Sequence, residues 1–248
     1  MTLYDDTFFH GHRDGMIASA TVVVPSLVRI FEPMTVVDVG CGIGAWAGAF
    51  HNAGCDVLAL DGDYVERASL LLPAERFEVR DLNQPLSLTK SVDLVVCLEV
   101  AEHLSPTNAK RFVRDLTKLA PVVVFSAAIP GQGGAGHINE QWPQYWADLF
   151  EECDHLPIDN LRPFFWSNKQ VSWWYAQNMI SYVHRDAIPR FPSLPLPAEP
   201  CQLARVHPEL WTKRLSQSPS VRSSLSHLRH ALWNSIRRSA PRGGNRAV

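Results

Sequence analysis

Two rhythms of apolar residues run along the chain. Residues 16–31, MIASATVVVPSLVRIF, are apolar densely enough to predict a helix, interrupted or kinked at Pro25, whose ring removes a backbone donor. From residue 35 short apolar runs take over: TVVDV at 35–39, CDVLAL at 55–60, VDLVVCL at 92–98 and APVVVF at 120–125, with a weaker RFEVR at 76–80. Runs this short and this continuous read as strands buried on both faces. Helical patterns lie between several of them. The cleanest begins at Ser105-Pro106, with Ser as N-cap, Pro at the first helical position and a Phe112, Leu116, Leu119 stripe. Strands alternating with helices predict an α/β fold, a mostly parallel sheet with helices on both faces.

After residue 126 the pattern loosens. The segment AIPGQGGAGHINEQW is a glycine-rich loop too long for a plain connector, which marks a functional loop. It leads into a short helix at about 142–150, two aromatic clusters (FFW at 164–166, WWY at 173–175) and a last strand near 179–184. The chain therefore divides into an N-terminal cap or lid segment (1–33), a main α/β domain (34–186), a proline-rich linker (187–200) and a C-terminal tail (201–248), partly helical or disordered.

With 248 residues, 46% hydrophobic and 19% charged, the composition suits one soluble domain with extras. The net charge of −2 hides an asymmetry. The tail holds nine Lys or Arg against the single acid Glu209, a net of +8, which leaves about −10 on the first 200 residues. An acidic body is a poor start for gripping a long polyanion. The N-terminus, MTLYDDTFFHGHRD, lacks the apolar core of a signal peptide, and no uninterrupted apolar run reaches the roughly 18 residues of a membrane span. Five cysteines with no CxxC read as reduced, mostly structural thiols, so the expected location is cytoplasmic.

Candidate chemistry begins at VDVGCGIGAW, a glycine-rich turn between the first strand and a helix. Gly40, Gly42 and Gly44 let the backbone turn tightly and come close to a ligand. Asp61 follows Gly44 by seventeen residues, at the end of the second strand, where a carboxylate accepts both hydroxyls of a ribose. The spacing is G-x-G-x-G, and Asp38 precedes the first glycine. A pyrophosphate would be repelled there, whereas an amino group and a sulfonium would be attracted. A third acid, Asp81 in VRDL, ends the third strand within reach of an adenine amino group.

Together DVGCGIG, Asp61, VRDL and DLVVCLEVAEHL resemble the class I S-adenosylmethionine (SAM) methyltransferases. The resemblance implies a Rossmann-like, seven-stranded sheet with an antiparallel last strand, and makes 34–186 the methyltransferase domain. It implies SAM as cofactor, with Asp38 and Gly40 facing the methionine moiety, Asp61 the ribose, and Asp81 with Leu82 the adenine. Cys41, Gly42, Gly44, Gly62 and Leu98 complete the implied cofactor-binding set.

A second cluster follows the fourth strand. If the chain turns helical at Glu99, then Glu99, Glu102 and His103 stand at i, i+3 and i+4 on one face. They make a half-built divalent metal site, and His137, in the loop after the next strand, is the natural further ligand. This E-x-x-E-H with a later histidine resembles the ubiquinone-pathway O-methyltransferases and the small-RNA 2′-O-methyltransferases; the second group has an acid and a Trp after the late His, as Glu140 and Trp142 stand here. The resemblance implies Mg²⁺, Mn²⁺ or a related ion holding a vicinal diol beside the sulfonium methyl. Glu102, His103 and His137 are the candidate catalytic residues, with a metal-free general base (His103 or His137) and purely structural roles as the alternatives.

The expected reaction is O-methylation of a small hydroxylated molecule, with sugar or glycan-precursor diols ahead of phenols. RNA 2′-O-methylation is the runner-up, and a catalytically idle SAM-binding scaffold the reading from another class. His10 and His12 are candidates for a lid over the acceptor, and the aromatic clusters for its wall or for packing beneath the loop. The tail's expected partners are nucleic acid, an anionic membrane surface or an acidic protein, against a merely solvated tail.

Overall fold

The structure, a computed structural model, describes residues 6–216 and 228, with side chains from residue 13 onward. Apart from residue 228, the basic segment beyond Ser216, with its expected amphipathic helix, and the side chains of His10 and His12 lie outside the described residues. Among the described residues seven strands form one sheet: β1 (Thr35–Val39), β2 (Asp56–Asp61), β3 (Phe77–Val79), β4 (Leu94–Leu98), β5 (Val122–Ser126), β6 (His155–Ile158) and β7 (Ile180–His184). Their order is β3-β2-β1-β4-β5-β7-β6. β7 is antiparallel to both neighbours and every other pairing is parallel. This is the Rossmann-like α/β architecture implied above, with its antiparallel last strand.

Parallel neighbours need crossover connections, and helices supply most of them: α1 (Asp6–Phe31) enters β1, α2 (Ala45–Asn52) joins β1 to β2, α3 (Ala109–Leu119) joins β4 to β5, and α4 (Pro143–Glu151) leads to β6. Strand alternation sorts the core into two layers. Val36, Val57, Leu94 and Val122 face α1 and α2, where Val23, Leu27 and Phe50 are buried. Val37, Val95 and Val123 face α3 and α4, where Phe112, Leu116, Trp146 and Phe150 are buried. Each such fully buried side chain contributes about 1.5–3 kcal/mol of burial free energy. From β1 the chain builds outward to β3, then returns to place β4 on the other side of β1. The carboxyl ends of β1 and β4 therefore flank the point where the strand order reverses, which is where open α/β sheets bind ligands.

Several expectations shift. Residues 16–31 are a core layer rather than a cap: Ala20, Val23, Val24, Leu27 and Phe31 form an i, i+3, i+4 stripe buried against the sheet. α1 runs on through Pro25, and its stretch Arg13–Phe31 is long and apolar enough to cross a membrane by length and composition. The third strand ends at Val79, so Asp81 lies two residues beyond it. Ser105 caps nothing; its hydroxyl meets Thr107, a 3₁₀ turn covers Pro106–Asn108, and α3 starts at Ala109 with the Phe112, Leu116, Leu119 stripe buried as expected. β6 was hidden by Pro157, which an edge strand tolerates because no further strand needs its missing N–H.

The segment expected as a linker lies against the α/β body. Phe191 packs edge-on against Phe31, and the Ala198 N–H donates to the Pro157 carbonyl at 2.8 Å. Beyond it Leu203 is buried, and its carbonyl accepts from Arg162 of α5 (Arg162–Phe165) at 2.7 Å. The described residues to His207 form one compact unit, and Pro208–Ser216 belong to a second. Of the latter, α7 (Pro208–Ser216) opens on Pro208 and Glu209 and closes with Lys213 and Arg214, charges that complement the helix dipole. All five cysteines are free thiols.

Candidate active site

The loop leaving β1 is pinned to β2 before it turns into α2. The Gly40 and Cys41 N–H groups both donate to the Leu60 carbonyl, at 2.8 and 3.2 Å. Gly40 has φ 78°, and a Cβ there would lie 2.3 Å from Val100 Cγ2, so conformation and close approach both require glycine. Asp38 ends buried beneath the loop, where its Oδ2 accepts from the Ala47 N–H at 3.0 Å. Burial pushes its carboxyl up to about 7; the Ala47 bond opposes this and the Asp61 charge adds to it. Asp61 Oδ2 accepts from Gly42 N–H at 2.6 Å, and Oδ1 from Gly62 N–H at 2.7 Å and from the Tyr64 hydroxyl. Burial raises its proton affinity, and these three donors hold it back. Asp38, Gly40, Cys41, Gly42, Gly44, Asp61 and Gly62 are thus brought together at the ends of β1 and β2, with Leu98 at the end of neighbouring β4.

Asp81 stands apart from that buried group. It is exposed, accepting from the Asn83 N–H at 2.9 Å, while Leu82 beside it is buried. Their loop is fixed by a residue the sequence did not mark. Arg111 of α3 donates to the carbonyls of Gln84 (2.6 Å) and Asn83 (2.9 Å) and to the Asp115 carboxylate (3.0 Å), which in turn accepts from Leu86 N–H (3.1 Å).

Past β4 the expected helix does not form. Glu99 takes a left-handed φ of 56°, and a single 3₁₀ turn covers Ala101–His103. So tight a turn does not put Glu99, Glu102 and His103 on one face. Instead one ligand atom each from Glu102, His103 and His137 lies within 4.8 Å of the others, and Glu99 is outside that set. Glu102 is fully buried. Its Oε1 accepts from Ala128 N–H at 3.2 Å, its backbone carbonyl from Ile138 and Asn139 N–H at 2.9 and 3.0 Å, and its Oε2 has no N–H or O–H donor among the described residues. Burial, then the adjacent Glu99 charge, drives the Glu102 carboxyl well above the usual carboxylate range. Burial, then the His137 charge, pulls His103 down to about 4, against a bond to the Gly136 carbonyl. His103 is therefore a neutral imidazole at physiological pH.

His137 sits edge-on to His103, ring centroids 4.8 Å apart. Its Nδ1 pairs with Glu140 Oε1 at 3.0 Å, and Glu140 also collects the Gly131 and Gly133 N–H groups at 2.8 and 2.6 Å. A carboxylate on one ring nitrogen turns the other, Nε2, into a lone-pair donor of fixed direction, the usual second partner of a metal-binding histidine. Gly134 leaves room for that ring: a Cβ there would lie 2.2 Å from His137 Nε2. The donor set fits a divalent cation on two counts, the undonated Glu102 Oε2 and the two imidazoles facing it. One carboxylate with two imidazoles suits Mn²⁺, Fe²⁺ or Zn²⁺ at least as well as Mg²⁺.

Glu99 is held by side chains from two later segments of the chain. Gln132 Nε2 donates to its Oε2 at 2.9 Å and Asn178 Nδ2, from the end of α6 (Trp173–Asn178), to its Oε1 at 3.1 Å. Gln177 ties Gln132 (3.1 Å) to Asn178 (2.8 Å), and accepts from His207 N–H at 2.7 Å. Burial raises the Glu99 carboxyl, with bonds from Asn178, Ser126 and Gln132 opposing. No spacing signal marks such an amide cluster, because its members come from separate loops and a short helix.

A family model described as a methyltransferase domain matches residues 15–182. The chain is 35% identical over 111 residues to the chloroplastic magnesium protoporphyrin IX methyltransferase of Arabidopsis thaliana, covering 41% of this chain and 35% of that protein. It is 30% identical over 95 residues to the ubiquinone biosynthesis O-methyltransferase of Rickettsia akari (strain Hartford), covering 36% and 37%. The chain thus matches little more than a third of the length of these curated relatives. Among solved structures, a SAM-bound amino pentose methyltransferase from Micromonospora echinaspora superposes with TM-score 0.52 at 14% identity, over 74% of this chain and 99% of that one. The SAH-bound magnesium protoporphyrin IX methyltransferase of Synechocystis PCC 6803 gives 0.50 at 16% identity, over 69% and 86%. At these identities the likeness is one of fold.

Proposed function

This chain belongs to the methyltransferase-domain family, and from that membership we propose that it is a SAM-dependent O-methyltransferase for a small molecule bearing adjacent hydroxyls. The observation that carries the reading is one contact. Gly40 of the cofactor loop lies against Val100, the residue between Glu99 and the turn that holds Glu102 and His103. A cofactor half and an acceptor half therefore share a wall.

In the cofactor half, Asp61 accepts from the ribose hydroxyls, Asp38 meets the methionine ammonium, and the Asp81–Leu82 segment faces the adenine. Cys41, Gly42, Gly44, Gly62 and Leu98 line its path. In the acceptor half, Glu102, His103 and His137 would hold a divalent cation, with Glu140 orienting His137. Such a cation, when bound, lowers the pKa of a coordinated hydroxyl and fixes its position. Orientation is much of the remaining work, since methyl transfer needs in-line approach of oxygen to the methyl carbon. Transfer forms a carbon–oxygen bond, breaks a carbon–sulfur bond and releases one proton. Glu99, outside the ligand set and raised in proton affinity by burial, would take that proton. The O-methyltransferase among the relatives favours oxygen as the methylated atom.

The test is methyl transfer from radiolabelled SAM to a panel of sugar diols and catechols, with EDTA and with Mg²⁺ or Mn²⁺ restored. Label in a diol, lost with EDTA and regained with metal, supports the reading. Label that ignores EDTA removes the cation from it. Transfer only to RNA replaces the small acceptor, and saturable SAM binding with no transfer leaves a scaffold.

A further inference from the structure

Three buried amides lie between a late backbone N–H and Glu99, and all three point the same way. His207 N–H donates to Gln177 Oε1 at 2.7 Å. A backbone N–H can only donate, so this bond fixes which end of the Gln177 amide is the oxygen. Its Nε2 then faces the other way, donating to Gln132 Oε1 at 3.1 Å and to Asn178 Oδ1 at 2.8 Å. With their oxygens turned to Gln177, those two amides present their N–H groups to Glu99, Gln132 Nε2 to Oε2 at 2.9 Å and Asn178 Nδ2 to Oε1 at 3.1 Å. A second backbone donor agrees, because Ile129 N–H also meets Gln132 Oε1, at 3.3 Å. The starting point is itself held, since the His207 ring Nε2 pairs with the Trp166 carbonyl at 2.8 Å. Gln177, Asn178 and Gln132 are all buried. Burial requires each amide to be bonded, but not that the donors of two of them converge on the two oxygens of one carboxylate.

We propose that Gln177 is a positioning residue for methyl transfer: it sets the direction of the Gln132 and Asn178 amides, and through them the orientation of the Glu99 carboxylate. This rests on the reading of Glu99 as the proton acceptor given above. A base works only when held within hydrogen-bond reach of the proton that it takes. One fixed donor on each oxygen sets the plane of the Glu99 carboxylate, and a carboxylate has about four lone-pair sites, so these two bonds leave it able to accept from a substrate hydroxyl. Aligned amide dipoles also polarise one another, which strengthens the bonds at the end of the chain. The segment that ends at His207 is then part of the site, although it lies far along the chain from Glu99.

The test is a double-mutant cycle on the full chain, read by thermal unfolding at pH 8, with kinetics beside it. Gln177→Glu keeps the size and the acceptor for His207 N–H but has no N–H to give. Gln132 and Asn178 are then expected to turn their N–H groups toward it and their carbonyls toward Glu99. The loss of melting temperature is expected to be about 5 °C larger with Glu99 present than in a Glu99→Gln background, where the new amide gives an N–H to a reversed carbonyl. Repeating the cycle with Asn178→Leu removes one of the two relays and is expected to cut the coupling by about half, whereas direct repulsion between two carboxylates would leave it whole. With the sugar diol or catechol that the wild type methylates fastest, Gln177→Glu is expected to lower kcat at least about tenfold. Gln177→Met, which releases the relays without reversing them, is expected to lower it about threefold, and in both variants KM and SAM affinity stay within about twofold. Additive melting temperatures, or a coupling that Asn178→Leu leaves whole, overturn the inference; where Gln177→Glu does not fold, an unchanged kcat in Gln177→Met overturns it alone. Wild-type protein that methylates no member of the panel overturns the reading of Glu99 as proton acceptor, and the positioning role with it.

Discussion

Substituting Gly40 by alanine tests whether the two halves of the site are mechanically joined. The new Cβ meets a φ of 78°, a conformation costing a residue with a side chain about 1–2 kcal/mol. It also lands 2.3 Å from Val100 Cγ2, 3.0 Å from Cγ1 and 3.2 Å from Cβ, an overlap in a packed site that costs about 1–3 kcal/mol. The sum is about 2–5 kcal/mol, or some 4–20 °C of melting temperature for a domain of this size. Gly54 supplies the control, because it has φ 93° and nothing within 4 Å of an added Cβ. Gly54→Ala is therefore expected to show the conformational part alone. Urea unfolding of Gly40→Ala, Val100→Ala and the double variant separates the terms. Truncating Val100 removes the two methyl groups that the new Cβ strikes, so the double variant is expected to be at least about 1 kcal/mol more stable than the singles add up to. Cofactor and Mn²⁺ titrations of the same proteins are expected to weaken together in Gly40→Ala and recover together in the double variant. Additive stabilities, or a Gly40→Ala no costlier than Gly54→Ala, would refute the contact as the link.

Three further outcomes follow from individual groups. Because burial holds Asp38 neutral below about pH 7, affinity for a cofactor bearing positive charge is expected to be level above pH 8 and to fall by up to about tenfold per pH unit below 7, and Asp38→Asn to bind weakly with no slope, as calorimetry across pH 6–8.5 would show. Glu140→Gln leaves an acceptor beside His137 but no charge, and is expected to weaken Mn²⁺ binding about 10–100-fold in a direct titration while SAM binding stays within about twofold. Asp93 is raised by burial but lowered further by donors from Thr35 N–H, the Thr35 hydroxyl and Met34 N–H, so the stability it adds is present above the unfolded carboxylate value of about 3.9 and lost as pH falls through its lower folded value; the wild-type advantage over Asp93→Asn in urea unfolding should persist at pH 7 and shrink as pH falls below about 3.9.

The grouping of the glycine loop with Asp61 was legible because it is local in the chain. DVGCGIG needs left-handed glycines within a few residues of one strand end, and Asp61 needs only to end the next strand, so spacing along the chain is nearly spacing in the fold. The acceptor half depends on how the chain turns after β4. A left-handed Glu99 followed by a single 3₁₀ turn looks, in sequence, like the start of an amphipathic helix, because Val100, Ala101 and Leu104 suit either. That moved Glu99 out of the expected ligand set while leaving Glu102, His103 and His137 together. The amide cluster around Glu99 and the Arg111 brace under Asp81 were invisible for a simpler reason. Gln, Asn and Arg in those positions match any solvated surface until tertiary contacts bury them. The same holds for α1, where the stripe from Ala20 to Phe31 reads equally as a lid or as a core layer until the sheet is set against it.

Buried charges elsewhere in the molecule show what a structural role looks like, and Glu102 does not look like that. Arg162, 1% exposed, is held by Asp159 through two 2.8 Å bonds and by the Leu203 carbonyl at 2.7 Å. Asp115 is met by the Arg111 guanidinium and the Leu86 N–H. Each such group is compensated, as burial of a charge requires. Glu102 has one neutral donor on Oε1 and, among the described residues, none on Oε2, and a second carboxylate beside it. Leaving an oxygen in that state costs about 1–3 kcal/mol, whereas a glutamine would accept the Ala128 N–H and offer its NH2 to the Glu99 carboxylate. Packing therefore gives no reason for an acid at this position. A cation does: it satisfies Oε2, offsets the Glu99 charge, and uses the lone pair of a histidine kept neutral down to about pH 4. On this argument Glu102→Gln should stabilise the metal-free fold while removing Mn²⁺ binding, a pair of effects of opposite sign that a purely structural glutamate cannot produce.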